Sequence, residues 1–382
     1  MAYPTAVRNP AAGGFDTLPP PWAPECWGDD EDTVLVCRRV LDITHDVKSF
    51  HFHPDGDRTF RFDPGQFITL QLDINGERFT RCYTISSPPT RPHLLSITVK
   101  RVLGGPVSNW LHDNVTAGSR IRAQAPLGSF TLDHTAPKYL FLSAGSGITP
   151  VMSMTRTLFD LGSETDVLFV HSARSPADII FRRELLAISE VMPNIRVHHV
   201  CEGDYPSERW TGFRGRLSAP MVHALVPDLN ERQTYTCGPP AYMSSVRKIL
   251  LELSYDMRNY HEESFSFEAL PASDQPAPGT GPADEADQPA GGTKATTHRI
   301  TFERSGITVD CDADQSILDA ASAAGLRLPA TCTEGMCGTC KTTLLAGEVD
   351  MQHKGGIRPR EITQNKILPC CSRPRSDLRI DG

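Results

Sequence analysis

Apolar and polar positions alternate along the first third of the chain and stop alternating in the second. From Thr33 to about Ala136 the runs TVLVCRR, VKSFHFH, QFITLQL, RCYTI, LLSITVK and RIRAQA are short and rich in β-branched and aromatic residues. Asp55-Gly56 and Asn75-Gly76 punctuate them as turns. Short strands with frequent turns predict a small antiparallel barrel. At Tyr139 the pattern changes. YLFLS, DVLFVHS, IRVHHVC and QTYTC read as strands, and helical stretches run from Thr149 to Leu161, through FRRELLAIS and through YMSSVRKILLEL. Strands alternating with helices predict a parallel, Rossmann-like α/β sheet.

Two segments lack any such pattern. Residues 1–32 are rich in Pro, Gly and acid and read as an irregular leader held through Trp22 and Trp27. Residues 268–297 carry almost no large apolar side chain and read as a flexible linker, because they bury too little surface to offset their ordering entropy. Past the linker, RITFE and ITVDC predict a hairpin, and SILDAASAAG a helix with Ser316 as its N-cap. The expected units are therefore 1–32, 33–136, 137–267, 268–297 and 298–382. A length of 382 residues accommodates that many.

Composition narrows the chemistry. The net charge of -8 offers no basic groove, so nucleic acid is not an expected partner. No apolar run approaches the roughly 20 residues that span a bilayer, and the start of the chain is no secretory signal, so a cytoplasmic location without membrane contact is expected. Five of the 11 cysteines crowd the end of the chain. Such clustering points to metal or redox chemistry rather than a disulfide framework.

Their spacing is informative. Cys332, Cys337, Cys340 and the later Cys370 follow the C-x4-C-x2-C…C pattern of plant-type [2Fe–2S] ligation. Gly335 and Gly338 let the loop bend sharply enough to gather three thiolates. A structural zinc site competes, but it pairs cysteines in short C-x2-C knuckles. Buried unligated thiols compete too. Cys371 stands next to Cys370, so the fourth ligand has two candidates.

Two cofactor sites are expected upstream. On the RCYT strand Arg81 and Tyr83 share a face, suited to a phosphate and to an isoalloxazine ring. Thr84 offers a hydroxyl to the ring edge, with Ser86 close behind. In VKRVLGGPVSNWLHD, a glycine turn opens a short helix and makes a ready pyrophosphate site. This adds Val99, Lys100, Gly105, Val107, Ser108 and Trp110 to the flavin candidates. In GSGITP, Gly145 and Gly147 form a turn, with Thr149 placed to cap the next helix and Pro150 at its first position. Cys237-Gly238-Pro239 ends another strand of the same sheet, where ligands sit in parallel sheets. Ser172 and Arg174 lie where an adenosine ribose is expected. With Asp178 nearby the basic character is slight, which favours NADH, with NADPH possible. The histidines of HFHP and VHHV are expected on strand surfaces.

In this order, RCYT, GGPVSNWLH, GSGITP, CGPP and the cysteine cluster resemble the ferredoxin–NADP reductase superfamily fused to a plant-type ferredoxin domain. TVKRVLGGPVSNWLHD, SAGSGITPVMSMTR, HSARSPADIIFRREL and YHEESFSF resemble reductase components of glycine betaine, carnitine and stachydrine monooxygenases. The resemblance implies an antiparallel β-barrel flavin domain, an α/β nicotinamide domain and an α+β (β-grasp) ferredoxin domain. It implies FAD rather than FMN. It also places Glu263 and Phe265 in the flavin–nicotinamide region, with Thr84, Cys237 and Glu263 at the reacting rings. The ILPCC run resembles the ferredoxin pattern with Cys370 as fourth ligand. The implied activity is electron transfer from NADH through FAD and the cluster to a Rieske-type oxygenase that demethylates quaternary amines. Reductases of hybrid-cluster protein or of di-iron oxygenases share the domain order, and a non-catalytic electron-transfer subunit or redox sensor is the alternative outside enzymes.

Overall fold

The structure is a computed structural model and describes residues 25–27, 32–264, 297–326, 328, 330, 333, 335, 338 and 340–382. Trp22, Phe265, Cys332 and Cys337 lie outside the described residues, as do most of the expected leader and all of the expected linker but Thr297.

The first unit is a six-stranded antiparallel sheet in the order Glu77–Thr84, Phe67–Ile74, Arg120–Leu127, Asp32–Thr44, Val47–Pro54, Leu95–Lys100. A bridge between Ile85 and Ile97 closes it into a barrel. Its inward side chains, among them Phe50, Phe52, Ile68, Leu70 and Ile97, form one buried cluster. Trp27 joins that cluster at 1% exposure, edge-on to Phe60, and Glu25–Cys26 pairs in parallel with Arg58–Thr59. This part of the leader is thus fixed by one buried indole.

The second unit is a six-stranded parallel sheet. Its order is Phe213–Arg214, Ile195–Cys201, Asp166–Ala173, Lys138–Ala144, Gln233–Gly238, Tyr260–Ser264. One face packs Tyr139, Phe141 and Phe169 against the helices Ile148–Asp160 and Arg182–Val191. The other packs Leu140, Leu142 and Val170 against Ala219–Leu225 and Pro240–Glu252. At the lower end of the sheet the Arg232 guanidinium is 1% exposed and is held by Asp166, Asp228 and the Tyr139 carbonyl. A buried charge persists only with such complete pairing. The edge strand Tyr260–Ser264 has no clear alternation and is invisible in the sequence pattern.

The third unit is a mixed sheet in the order Ile307–Asp312, Thr297–Phe302, Leu378–Ile380, Thr342–Ala346, Lys366–Ile367, with the helix Ile317–Ala323 packed on it. The expected hairpin is present, and Ser316 Oγ accepts from the Asp319 N–H. Among the described residues no helix is long and apolar enough to cross a membrane.

Two local expectations fail. The Gly-Ser-Gly turn is itself a 3-10 turn over Gly145–Gly147, and the helix starts at Ile148 with Gly147 as its N-cap. Thr149 therefore lies inside the first turn and donates to the Ser146 carbonyl, and Pro150 is the third helical residue, not the first. The histidines of HFHP and VHHV are not on open strand surfaces. Burial lowers the His51 and His199 pKa values to about 4. His171 beside His199 is fully buried, bonded to Ser143 Oγ at 2.9 Å, and lowered to about 3 by burial and by His199. All three rings are neutral at pH 7. The unfolded chain takes up protons near pH 6.5, before the fold does, so stability must fall as pH drops below that value. The urea unfolding midpoint is expected to decline from pH 7 to pH 5. In His171→Leu that decline is expected to be shallower, and an unchanged slope would refute this origin.

Candidate functional site

The carboxyl end of the parallel sheet faces the end of the barrel strand Glu77–Thr84. Across 179 residues of sequence, Thr84 Oγ1 donates to Glu263 Oε2 at 3.4 Å, both groups buried. Glu263 lies in register with Cys237, and Cys237 with Ser143, so the three occupy one row of neighbouring strands. The Cys237 thiol is fully buried; desolvation first, and the nearby Glu263 charge second, push its pKa well above the ordinary value. It stays a neutral thiol. The structure therefore gathers Thr84, Cys237 and Glu263.

The two nucleotide-facing turns press together beside them. A Cβ on Gly147 would stand 2.4 Å from the Cys237 carbonyl oxygen and 2.6 Å from Gly238 Cα. Only a glycine permits that approach. Gly145, Gly147, Gly238 and Pro239 thus border one crevice at the strand ends, the usual ligand position in such sheets. At its far side Ser172 lies next to the end of the strand Asp166–Ala173. Arg174 is engaged by Asp178 at 2.6 Å and lies 3.5 Å from Asp46 of the barrel.

The flavin candidates divide. Arg81 and Tyr83 are half-buried on the barrel strand; Tyr83 packs on the core, and burial raises its hydroxyl pKa. The helix Pro106–Asn114 begins at Gly105, with no side chain capping its first turn, and Trp110 packs partly on the barrel core. These fit a phosphate and a ring. The side chains of Val99 and Val107 instead point into the barrel core, and Lys100 pairs with Asp46 at 3.0 Å. Ser108 Oγ accepts from the Val102 N–H and braces the glycine turn rather than facing outward. Ser86 is buried as well. Its hydroxyl is buried in a network with Ser96 and Thr98, and its carbonyl accepts from Arg156. The hydroxyl, N–H and carbonyl of Ser86 thus all have partners inside the protein.

At the chain's end Cys340 and Cys370 bring their sulfurs to 3.3 Å, and the Gly335 N–H points at Cys370 Sγ at 3.3 Å. Converging thiols with a backbone donor to sulfur fit an iron–sulfur cluster. Cys371 instead turns its sulfur toward the Leu368 carbonyl. Gly335 has φ +72, and a Cβ there would meet Cys371 Sγ at 2.6 Å. A cavity lined by Ser129, Phe130, His261, Glu262, Glu263 and Lys354 joins all three units. Sequence reasoning missed Lys354, which carries no motif.

The segments 35–132, 141–248 and 300–375 match the oxidoreductase FAD-binding domain, the oxidoreductase NAD-binding domain and the 2Fe-2S iron-sulfur cluster binding domain. The chain is 42% identical to the glycine betaine monooxygenase reductase subunit of Pseudomonas aeruginosa, over 94% of this chain and 98% of that one. The corresponding subunit of Chromohalobacter salexigens is 45% identical with the same coverages. The stachydrine N-demethylase reductase subunit of Rhizobium meliloti is 41% identical over 93% and 98%. Among solved structures, phthalate dioxygenase reductase superposes with a TM-score of 0.56 at 25% identity, covering 92% of this chain and 98% of that one. The chain is an NAD(P)H-dependent flavin and iron–sulfur oxidoreductase, and it belongs to the family of the glycine betaine monooxygenase reductase subunits.

Proposed function

We propose that this protein is the NADH-dependent reductase of a two-component Rieske monooxygenase that demethylates glycine betaine or a similar quaternary amine. The observation that carries the reading is the meeting of the barrel, the nicotinamide sheet and the cluster unit around Glu263 and Lys354. When bound, FAD takes a hydride from the nicotinamide and gives up its two electrons singly, as a one-electron cluster requires.

The chain's own residues supply placement. Arg81 and the Gly105 helix end hold the flavin phosphates, and Tyr83 and Trp110 flank its rings. Thr84, hydrogen-bonded to Glu263, and the neutral Cys237 border the reacting edge. Gly145, Gly147, Thr149, Pro150, Gly238 and Pro239 shape the nicotinamide crevice, with Ser172 and Arg174 toward the ribose. Cys332, Cys337, Cys340 and Cys370 hold the cluster. Two carboxylates beside Arg174 oppose a 2′-phosphate, which supports NADH over NADPH. A cytoplasmic setting suits this many thiols, since oxidising compartments favour disulfides. The oxygenase partner rests on the relatives, which are reductase subunits of monooxygenase and demethylase systems.

Anaerobic NADH titration is expected to bleach the flavin and then produce a cluster EPR signal, with kcat/KM higher for NADH than NADPH. Product formed from glycine betaine on reconstitution with a Rieske oxygenase supports the partner; cytochrome c reduction with no transfer to any such oxygenase overturns it. Cys370→Ser is expected to abolish the EPR signal while Cys371→Ser retains it. The reverse result makes Cys371 the ligand.

A further inference from the structure

The cluster unit touches the barrel at a point where neither side has a side chain. Gly355 lies on the segment between the strand Val349–Met351 and the helix Pro359–Thr363, and Gly128 on the turn after Arg120–Leu127. A Cβ on Gly355 would stand 2.8 Å from Gly128 Cα and 2.9 Å from Gly128 N. Gly355 adopts φ +91 and Gly128 φ +119, a region that other residues avoid. Two backbones therefore rest directly on each other.

What stands behind each glycine gives the contact its meaning. Behind Gly128 is the Phe67 ring, 3.1 Å from where a Gly128 Cβ would be. Phe67 is the register partner of Thr84, at the proposed flavin edge. Behind Gly355, the N–H groups of Lys354 and Gly356 both donate to the Gly335 carbonyl, at 3.1 and 3.0 Å. Gly335 in turn directs its N–H at Cys370 Sγ. A continuous series of backbone contacts and hydrogen bonds thus runs from the strand beside Thr84 to a sulfur of the cluster loop. Beside it, Arg358 of the cluster unit, 3% exposed, reaches within 3.6 Å of Asp32 Oδ1 on the barrel.

We propose that the Gly128–Gly355 contact is the seat that registers the iron–sulfur loop against the flavin end of the barrel, and that Gly355 is a positioning residue for flavin-to-cluster electron transfer. The proposal rests on the flavin and cluster assignments above. The step concerned moves one electron at a time, the reduced flavin being oxidised and the oxidised cluster reduced, with no bond made or broken. Its rate falls steeply as donor and acceptor separate. Carbon atoms rest at about 3.5–4.0 Å, so a methyl group at Gly355 forces the units on the order of 1 Å apart.

The test uses the full-length holoenzyme and its Gly355→Ala variant in anaerobic stopped flow. Wild-type reduction by NADH at flavin and then cluster checks the underlying assignments separately. In the variant, flavin bleaching and ferricyanide reduction, which draws on the flavin directly, are expected to stay within about twofold, while cluster reduction and cytochrome c turnover fall at least tenfold, on the order of a small misplacement. The cluster EPR signal per chain is expected to be unchanged. Hydrogen exchange in Leu127–Phe130, a readout that needs no electron transfer, is expected to accelerate. If Gly355→Ala disturbs cluster assembly, Asp32→Ala removes the adjacent ion pair to Arg358 from the barrel side without touching the cluster loop, and the same selective slowing of cluster reduction with faster exchange in Leu127–Phe130 is expected. Wild-type cluster reduction in a variant with an intact cluster, or unaltered exchange in Leu127–Phe130, overturns the seat.

Discussion

The carbonyls of Ser86 and Ser87 set the geometry on which the rest of the molecule depends. They leave the barrel just past Thr84 and are taken up by one helix of the nicotinamide unit, Ser86 by Arg156 and Ser87 by Ser153 at 2.7 Å. Arg156 is nearly buried, paired with Glu184 at 2.6 Å and stacked over the Phe181 ring. A guanidinium so enclosed cannot swing without leaving charge unpaired in a poorly solvated place. The barrel strand is therefore clamped at a fixed angle to the sheet. Thr84 meets Glu263 because two residues further on the chain is already held.

Much of the site was legible because its chemistry is local. The alternation in RCYT placed Arg81 and Tyr83 on one strand, and the cysteine spacing identified a cluster loop, whose Cys340 and Cys370 converge. Glycine turns at Gly105 and Gly147 announced themselves by composition. The failures have a common physical origin. Ser86 looks like a flavin contact by proximity to Thr84, yet the barrel's own closure engages its hydroxyl and N–H, and the nicotinamide unit its carbonyl. Proximity in sequence cannot report which partner wins a hydroxyl. The helix start moved from Thr149 to Ile148 because the turn before it is itself wound. Glu263 lies on an edge strand without periodicity, and only its resemblance to known reductases marked it. Gly128 and Gly355 carry no motif; the absence of a side chain has meaning only once two surfaces meet.

One set of charges links the first two units. Asp46 on the barrel hairpin lies between Lys100 of its own unit and Arg174 of the nicotinamide sheet, and Asp178 completes the set. Burial opposes ionisation of Asp178, but hydrogen bonds from Ser175 and Arg174 outweigh it and hold the carboxyl below its usual range. On the proposed reading, the same residues that bridge the domains also face the nucleotide tail.

The sealed state of Cys237 has a chemical consequence. Thiols react with alkylating agents and peroxides as thiolates, and a sulfur kept from ionising is a poor nucleophile. Iodoacetamide and peroxide, which attack exposed low-pKa cysteines, find no such target at Cys237. On the proposed reading, a soft, polarizable atom can thus stand beside the reacting rings without being consumed by oxidants.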